Sequence, residues 1–184
     1  MYGMIHKAIR DMVSTVHGED AWRQVLSESG AGDSDFLSLH SYDDQIAYNL
    51  VGACSSILGA PVEACLEDFG RFWILVTASE HYGEMMRSYG QDTFSLLMHM
   101  NDMHERISST FSGYKPPHFT VESTGDSSCL LHYRSIREGL SPFVIGLVLG
   151  LGEFYGEKIE IKLENTVNED GGEYSVFAVT RISE

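Results

Sequence analysis

The proline pair Pro116-Pro117 separates two kinds of sequence pattern. Before it, apolar residues recur every three or four positions, which is typical of amphipathic helices. After it, several short segments alternate apolar and polar residues, which indicates strands, and two adjacent prolines cannot continue a helix. We therefore predict an α+β fold with a mainly helical N-terminal part and a C-terminal antiparallel sheet that packs with one helix.

The periodicity also predicts where individual elements lie. Helices are expected over residues 5–16, 20–26, 43–58, 61–76 and 92–111. Strands are expected near 119–121, 130–135, 159–163 and 174–178, the last two forming a hairpin around the turn residues 168–172. Ser141-Pro142 suits the start of an apolar helix over 143–155, with Ser141 as its N-cap.

The charge balance restricts the class of partner. Twelve Lys and Arg residues face 27 Asp and Glu residues, a formal net charge of −15. Such a chain repels phosphate backbones and anionic lipid headgroups, so we expect binding neither to nucleic acid nor to membranes. The longest apolar run, Pro142–Leu151, is half the roughly 20 residues that span a bilayer, so no transmembrane segment is expected.

The cysteines and the missing motifs limit the chemistry. Cys54, Cys65 and Cys129 are an odd number at no metal-like spacing, and no signal peptide is recognisable, so a cytoplasmic protein is expected. The sequence contains no HExxH zinc motif, phosphate-binding loop or G-x-S-x-G nucleophile elbow. These patterns give no support for an enzyme.

His104 is a candidate ligand because it shares a helix face with apolar residues. Leu97, Met100, Ile107 and Phe111 lie at helical spacing around it. A buried imidazole needs a partner, which is either a backbone carbonyl in the core or a metal ion. The other histidines are predicted on the surface or in loops: His6, His17, His40, His81, His99, His118 and His132.

Tyr133, Ser135 and Arg137 are a second candidate set, spaced two residues apart. In an extended segment they project to one side of the chain. Two hydroxyls and a guanidinium fork suit a pair of carboxylates, because arginine binds a carboxylate through two parallel hydrogen bonds. The alternative is a solvated strand face with an aromatic edge.

These residues also resemble a known family. Tyr133-Arg134-Ser135-Ile136-Arg137 has the Y-x-S-x-R form of the H-NOX family, the haem nitric oxide/oxygen binding domains related to the haem domain of soluble guanylate cyclase. Met1-Tyr2-Gly3, Phe69-Gly70 and Met103-His104-Glu105 resemble family segments in the same order. His104 lies 13 residues before Pro117 and 29 before Tyr133, spacings similar to those of the family.

The resemblance implies a single domain over residues 1–184, with a helical subdomain over about 1–60 and a haem-clasping subdomain over about 61–184. It implies that His104 is the proximal ligand of a b-type haem iron. Tyr133, Ser135 and Arg137 would bind the haem propionates, and Pro117 would pack on the haem. A haem offers a large apolar face and two carboxylates, which matches these residue types.

The resemblance also suggests the walls of the distal pocket, namely Ile5, Trp73, Phe143 and Leu147. Phe143 stands near the position where oxygen-binding members carry a tyrosine, and it has no hydroxyl to donate. Bound O2 gains from a hydrogen-bond donor, whereas NO binds ferrous haem without one. We therefore expect a sensor of NO, which also binds CO, with O2 disfavoured. The indole N–H of Trp73 is the one distal donor that favours O2 instead.

The expected mechanism is that NO binding opposite His104 breaks the iron–His104 bond and releases its helix. The resemblance to stand-alone family members implies that the chain signals to a separate partner protein, such as a histidine kinase or a nucleotide cyclase. Two alternatives stay open at this point: an O2 sensor or carrier, and an interaction module whose apolar pocket holds a different hydrophobic ligand or none.

Overall fold

The computed structural model describes residues 1–32, 35–109, 114–169 and 171–182. The helices are α1 (Gly3–His17), α2 (Glu19–Ser29), α3 (Asp44–Leu58), α4 (Val62–Phe72), α5 (Ser79–Tyr89), α6 (Thr93–Met98), α7 (Met100–Ser108) and α8 (Ser141–Tyr155). The strands are β1 (His118–Gly125), β2 (Ser128–Ser135), β3 (Ile159–Glu169) and β4 (Gly172–Arg181). A π-helical segment, Trp73–Ala78, joins α4 to α5. This is the predicted α+β class.

The chain divides into two compact units, Met1–Phe69 and Gly70–Glu184. In the first unit, α1, α2 and α3 pack against one another. Gly18 and Gly59 end α1 and α3 with positive φ angles of 89° and 65°, a conformation that costs glycine little because it has no Cβ.

His6 contradicts its predicted surface position, because it is completely buried in the first unit. Its ring stacks on Phe36 with a centroid distance of 4.7 Å, and Tyr42 packs edge-on against it. Its Nδ1 donates to the Tyr2 carbonyl over 3.2 Å. The prediction was wrong because the segment between α2 and α3 covers this face of α1.

The second unit contains an antiparallel sheet with the strand order β1-β2-β4-β3. Phe119 of β1 lies opposite Tyr133 of β2, which lies opposite Ser175 of β4. Alternate residues of β2 and β4 are buried, as expected when one sheet face packs on a core. The predicted hairpin of β3 and β4 is confirmed, although Asp170 in its turn lies outside the described residues.

The helix predicted over 61–76 is α-helical only to Phe72 and continues as the π-helical segment, and further helix predictions also differ. The helix expected over 92–111 is interrupted at His99, whose φ of −104° and ψ of 11° are not helical, and its expected end at Phe111 lies outside the described residues. The N-cap of α8 is Leu140 rather than Ser141. The Ser141 hydroxyl donates instead to the buried Glu173 carboxylate over 2.7 Å.

In the described part of the chain, no single helix is long and apolar enough to cross a membrane. A bent pair of helical segments, Asp44–Leu58 and Val62–Tyr89, is long and apolar enough only when the two segments are counted together.

Candidate functional site

His104 lies on α7 with a half-buried side chain, and its Nδ1 is shielded from solvent without a hydrogen-bond partner. Burial lowers the pKa of His104 to about 4, and a hydrogen bond with the Pro117 backbone opposes that shift only in part. The imidazole is therefore neutral near pH 7, which is the form that coordinates metals. The Pro117 contact matches a core histidine, but the unpartnered Nδ1 leaves a ring nitrogen unsatisfied.

Two aromatic rings lie beside His104, and one of them also contacts an aromatic residue of β2. The ring of Tyr114 stands edge-on to the imidazole at a centroid distance of 6.2 Å, and the Phe119 ring lies 6.1 Å from it. Phe119 in turn contacts the buried Tyr133 ring at 5.4 Å. His104 and Tyr133 are thus connected through Phe119.

The Y-x-S-x-R segment is extended only in part. Tyr133 and Ser135 belong to β2, where Tyr133 points into the core. The strand ends at Ser135, and the Arg137 N–H donates to the Ser135 hydroxyl over 3.0 Å. The expectation of three side chains along one strand face therefore applies to Tyr133 and Ser135, whereas Arg137 follows a bend.

The bend brings Arg137 to the segment that precedes β1. Its Nη1 donates to the Lys115 carbonyl over 3.0 Å. Burial raises the pKa of Tyr114 to about 12, and the nearby Arg137 charge opposes that rise. Arg137, Tyr114 and Pro117 are thus gathered on the same side of the unit as His104.

A buried carboxylate anchors the chain that follows Arg137. Glu173 accepts hydrogen bonds from the Gly139 N–H over 2.7 Å and from the hydroxyls of Ser141 and Ser175 over 2.7 and 3.0 Å. Only 5% of its surface is exposed. Burying an ionised carboxylate is costly unless its oxygens are hydrogen-bonded, and these three donors supply that compensation.

Two of the predicted distal residues lie where α8 crosses the end of α4 that belongs to the second unit, at Gly70. A Cβ on Gly70 would be 2.7 Å from the Leu147 nitrogen and 2.3 Å from the Phe143 carbonyl oxygen, so the two helices approach backbone to backbone. Arg71 and Glu153 form an ion pair across the same crossing. Trp73 stands one turn beyond Gly70, and both Trp73 and Leu147 are partly buried against the core that includes Phe119 and Tyr133.

Ile5, the fourth predicted distal residue, is half-buried on α1 in the first unit. Its assignment to the pocket stays a prediction.

The residues of the second unit fit a haem. A neutral imidazole with an unpartnered, shielded nitrogen suits an iron ligand, and partly buried apolar side chains suit a macrocycle. The Arg137 guanidinium lies near Tyr114, and the backbone N–H of Arg137 reaches the Ser135 hydroxyl; a guanidinium with hydroxyl groups in its surroundings suits carboxylates. Among the described residues, no group of three or more His, Cys, Asp or Glu side chains is arranged to hold a metal ion.

Comparison with known proteins gives the family. Residues 2–163 match the family described as Haem-NO-binding, so the chain belongs to that family. Soluble guanylate cyclase 89Da of Drosophila melanogaster is 27% identical over 173 residues, which is 94% of this chain and 26% of that protein. Soluble guanylate cyclase gcy-34 of Caenorhabditis elegans is 31% identical over 151 residues, 80% of this chain and 22% of that protein. The match thus spans about a quarter of the length of these relatives.

Solved structures confirm the fold. An H-NOX protein from S. oneidensis in the Fe(II)NO ligation state has a TM-score of 0.85 at 22% identity, with 100% of both chains covered. An oxygen-binding H-NOX domain related to soluble guanylate cyclases has a TM-score of 0.82 at 21% identity, covering 100% of this chain and 96% of that one. The predicted H-NOX resemblance is confirmed, and the chain is a haem-binding gas-sensor domain related to soluble guanylate cyclase.

The sequence reasoning missed several residues at this site. Tyr114 and Phe119 flank the proline pair, and their aromatic character was the available signal for a place beside His104. Glu173 and Asn101 act through contacts with residues 34 and 18 positions away, and no local spacing pattern reveals such contacts.

Proposed function

We propose that this domain senses nitric oxide through a b-type haem whose proximal ligand is His104. The observation that carries the proposal is the shielded, unpartnered Nδ1 of His104, together with burial that lowers the pKa of the imidazole to about 4. An unsatisfied buried nitrogen is unfavourable, and a neutral imidazole with a missing partner is suited to iron.

Tyr133, Ser135 and Arg137 are proposed to bind the two propionates. Arg137 is near Tyr114 and Lys115, and its charge supplies a local cation in a chain of net charge −15. Without such a cation, the excess of acidic residues would oppose a dianionic cofactor. Pro117, whose backbone contacts His104, is proposed to pack against the macrocycle.

The distal wall is proposed to select NO over O2. Phe143 and Leu147 are apolar, and their backbones lie against Gly70, three residues before Trp73. Neither offers a hydrogen-bond donor to a bound gas, and O2 needs such a donor more than NO or CO does. Trp73 carries an N–H, so an O2-binding sensor is the competing outcome of the test below.

A bound haem would supply the ferrous iron to which NO binds, and His104 would be the residue that holds that iron. Release of His104 from that iron would free α7 at this point. Because Pro117 and Phe119 contact His104, a movement of α7 alters the start of β1 and the surface around it. A ligand shifts a conformation only through such a difference in contacts between two states.

The signal is proposed to pass to a partner protein, such as a histidine kinase or a nucleotide cyclase. The relatives named above are guanylate cyclases, which favours an output in nucleotide signalling. The proposed location is the cytoplasm, since all three cysteines are free thiols.

The test is the visible absorption spectrum of the purified protein supplied with haem, reduced without oxygen, then exposed to air and then to NO. A ferrous haem absorption band that is unchanged in air and shifts when NO is added supports the proposal. A stable shift in air, abolished in Trp73→Phe, would assign O2 instead. Absence of any haem band would leave an interaction module and would overturn the proposal.

A further inference from the structure

Asn101 joins α7 to the edge of the sheet through two hydrogen bonds to one residue. Its Nδ2 donates to the Phe119 carbonyl over 2.6 Å, and its Oδ1 accepts from the Phe119 N–H over 3.0 Å. Phe119 lies in β1, which forms one edge of the sheet. The amide side chain therefore pairs with the strand as another strand would, and it satisfies both backbone groups.

Asn101 is also placed to control His104. The two residues are three positions apart on α7, so they lie on neighbouring points of one helix face. The residue that Asn101 holds, Phe119, is the one whose ring lies 6.1 Å from the imidazole. A single pair of hydrogen bonds thus fixes both the helix that carries His104 and the aromatic ring beside it.

We infer that Asn101 is a positioning residue for His104, which locks α7 in register with β1 and thereby sets the orientation of the imidazole. This inference rests on the proposed function, because it takes His104 to be the haem ligand. Asn101 itself reaches neither the gas nor the iron. It acts by holding the helix and transmitting any movement of α7 to the edge of the sheet.

The bonding pattern explains why an asparagine is needed. Aspartate has the same shape and keeps an acceptor for the Phe119 N–H, but it sets a carboxylate oxygen against the Phe119 carbonyl. One of the two bonds is then replaced by repulsion. Alanine removes both bonds and leaves the two backbone groups of Phe119 to water.

The first readout needs no haem. Hydrogen exchange of the Phe119 amide, measured by NMR, is expected to be about tenfold faster in Asn101→Ala than in the wild type, because the amide loses its acceptor. In Asn101→Asp the amide keeps an acceptor, so its exchange should stay closer to the wild-type rate. Equal exchange in the wild type and Asn101→Ala would show that the clamp is absent in solution and would overturn the inference.

The second readout is the iron–histidine stretching band in the resonance Raman spectrum of the reduced, haem-loaded protein. We expect the band to shift and broaden in Asn101→Ala and in Asn101→Asp, since the imidazole is then held in more than one orientation. Val25→Ala, in the core of the first unit, is the control for lost stability and should leave the band unchanged. Glu105→Ala, at an exposed position on α7, is the control for the effect of substituting a residue on this helix.

The outcomes separate the inference from the proposed function. A wild-type protein without an iron–histidine band would overturn the proposed function and, with it, this inference. A wild-type band that is identical in both Asn101 variants would overturn the inference alone. If Asn101→Ala does not fold, the isosteric Asn101→Asp decides the question by the same band.

Discussion

Gly70 and Phe143 bring two helices into backbone contact: a Cβ on Gly70 would lie 2.3 Å from the Phe143 carbonyl oxygen. No side-chain rotation relieves such a contact, because the opposing atoms belong to the backbone of α8. Phe143 and Leu147 lie at this crossing and Trp73 follows Gly70 by three residues, so the spacing of the helices there affects how these three proposed distal residues are arranged.

Gly70→Ala is expected to destabilise the protein by about 1–3 kcal/mol, because α8 must move away from α4. Urea unfolding followed by circular dichroism measures this change. Gly52→Ala on α3 is the matched control, since a Cβ there meets nothing within 4 Å. That control should be neutral or more stable by about 0.5–1 kcal/mol, as expected for an unstrained helix position. Equal effects of the two substitutions would contradict the close crossing.

Glu173→Gln tests the buried carboxylate that anchors the chain after Arg137. The amide replaces one acceptor oxygen with a donor, so it faces the Gly139 N–H or the two serine hydroxyls with the wrong hydrogen-bonding group. We expect a loss of about 1–3 kcal/mol in the free energy of unfolding. Glu169→Gln, which removes an exposed ion pair with Arg134, should cost less than about 1 kcal/mol. A Glu173 variant as stable as the Glu169 variant would refute this role.

The burial of His6 predicts that the first unit loses stability in acid. Burial lowers the pKa of His6 below its usual 6.5, so the unfolded chain takes up a proton more readily than the folded one. The stability linked to the neutral form of His6 is therefore fully present above about pH 6.5. It is lost as the pH falls below that value toward the pKa of His6 in the folded state.

The variant His6→Phe removes the titrating group while keeping a ring to stack on Phe36. Its free energy of unfolding should fall less steeply between pH 7 and 5 than that of the wild type. Phe36→Leu is the control, because it weakens the packing but retains the imidazole, and its slope should stay steep. A wild-type slope in His6→Phe would contradict the assignment.

Much of the fold is predictable because local signals mark it. Gly18 and Gly59 end their helices with positive φ angles, and the strands begin directly after Pro116-Pro117. His104 and the Y-x-S-x-R segment were candidates from residue types and spacing, and the family resemblance then implied their haem-binding roles, which stay predictions. These features depend on backbone preferences and short sequence distances, which a sequence displays directly.

The remaining features depend on contacts that are distant in sequence. His6 is buried because Phe36 and Tyr42 cover it, and the Asn101 clamp requires β1 to lie beside α7. The π-helical segment Trp73–Ala78 is apolar or small throughout, so periodicity could not reveal its extra residue per turn. Ser141 fits an N-cap by sequence, but the buried Glu173 captures its hydroxyl.

The central claim is that His104 holds the haem iron, and the most direct measurement compares His104→Gly with His99→Gly. His99 is an exposed histidine nearby in the chain, at the break between α6 and α7. Each variant is loaded with haem, reduced without oxygen and examined by absorption and resonance Raman spectroscopy, before and after addition of free imidazole. We predict that His104→Gly alone loses the iron–histidine band and that imidazole, entering the space left by the ring, restores it. A wild-type band in His104→Gly without imidazole would contradict the account.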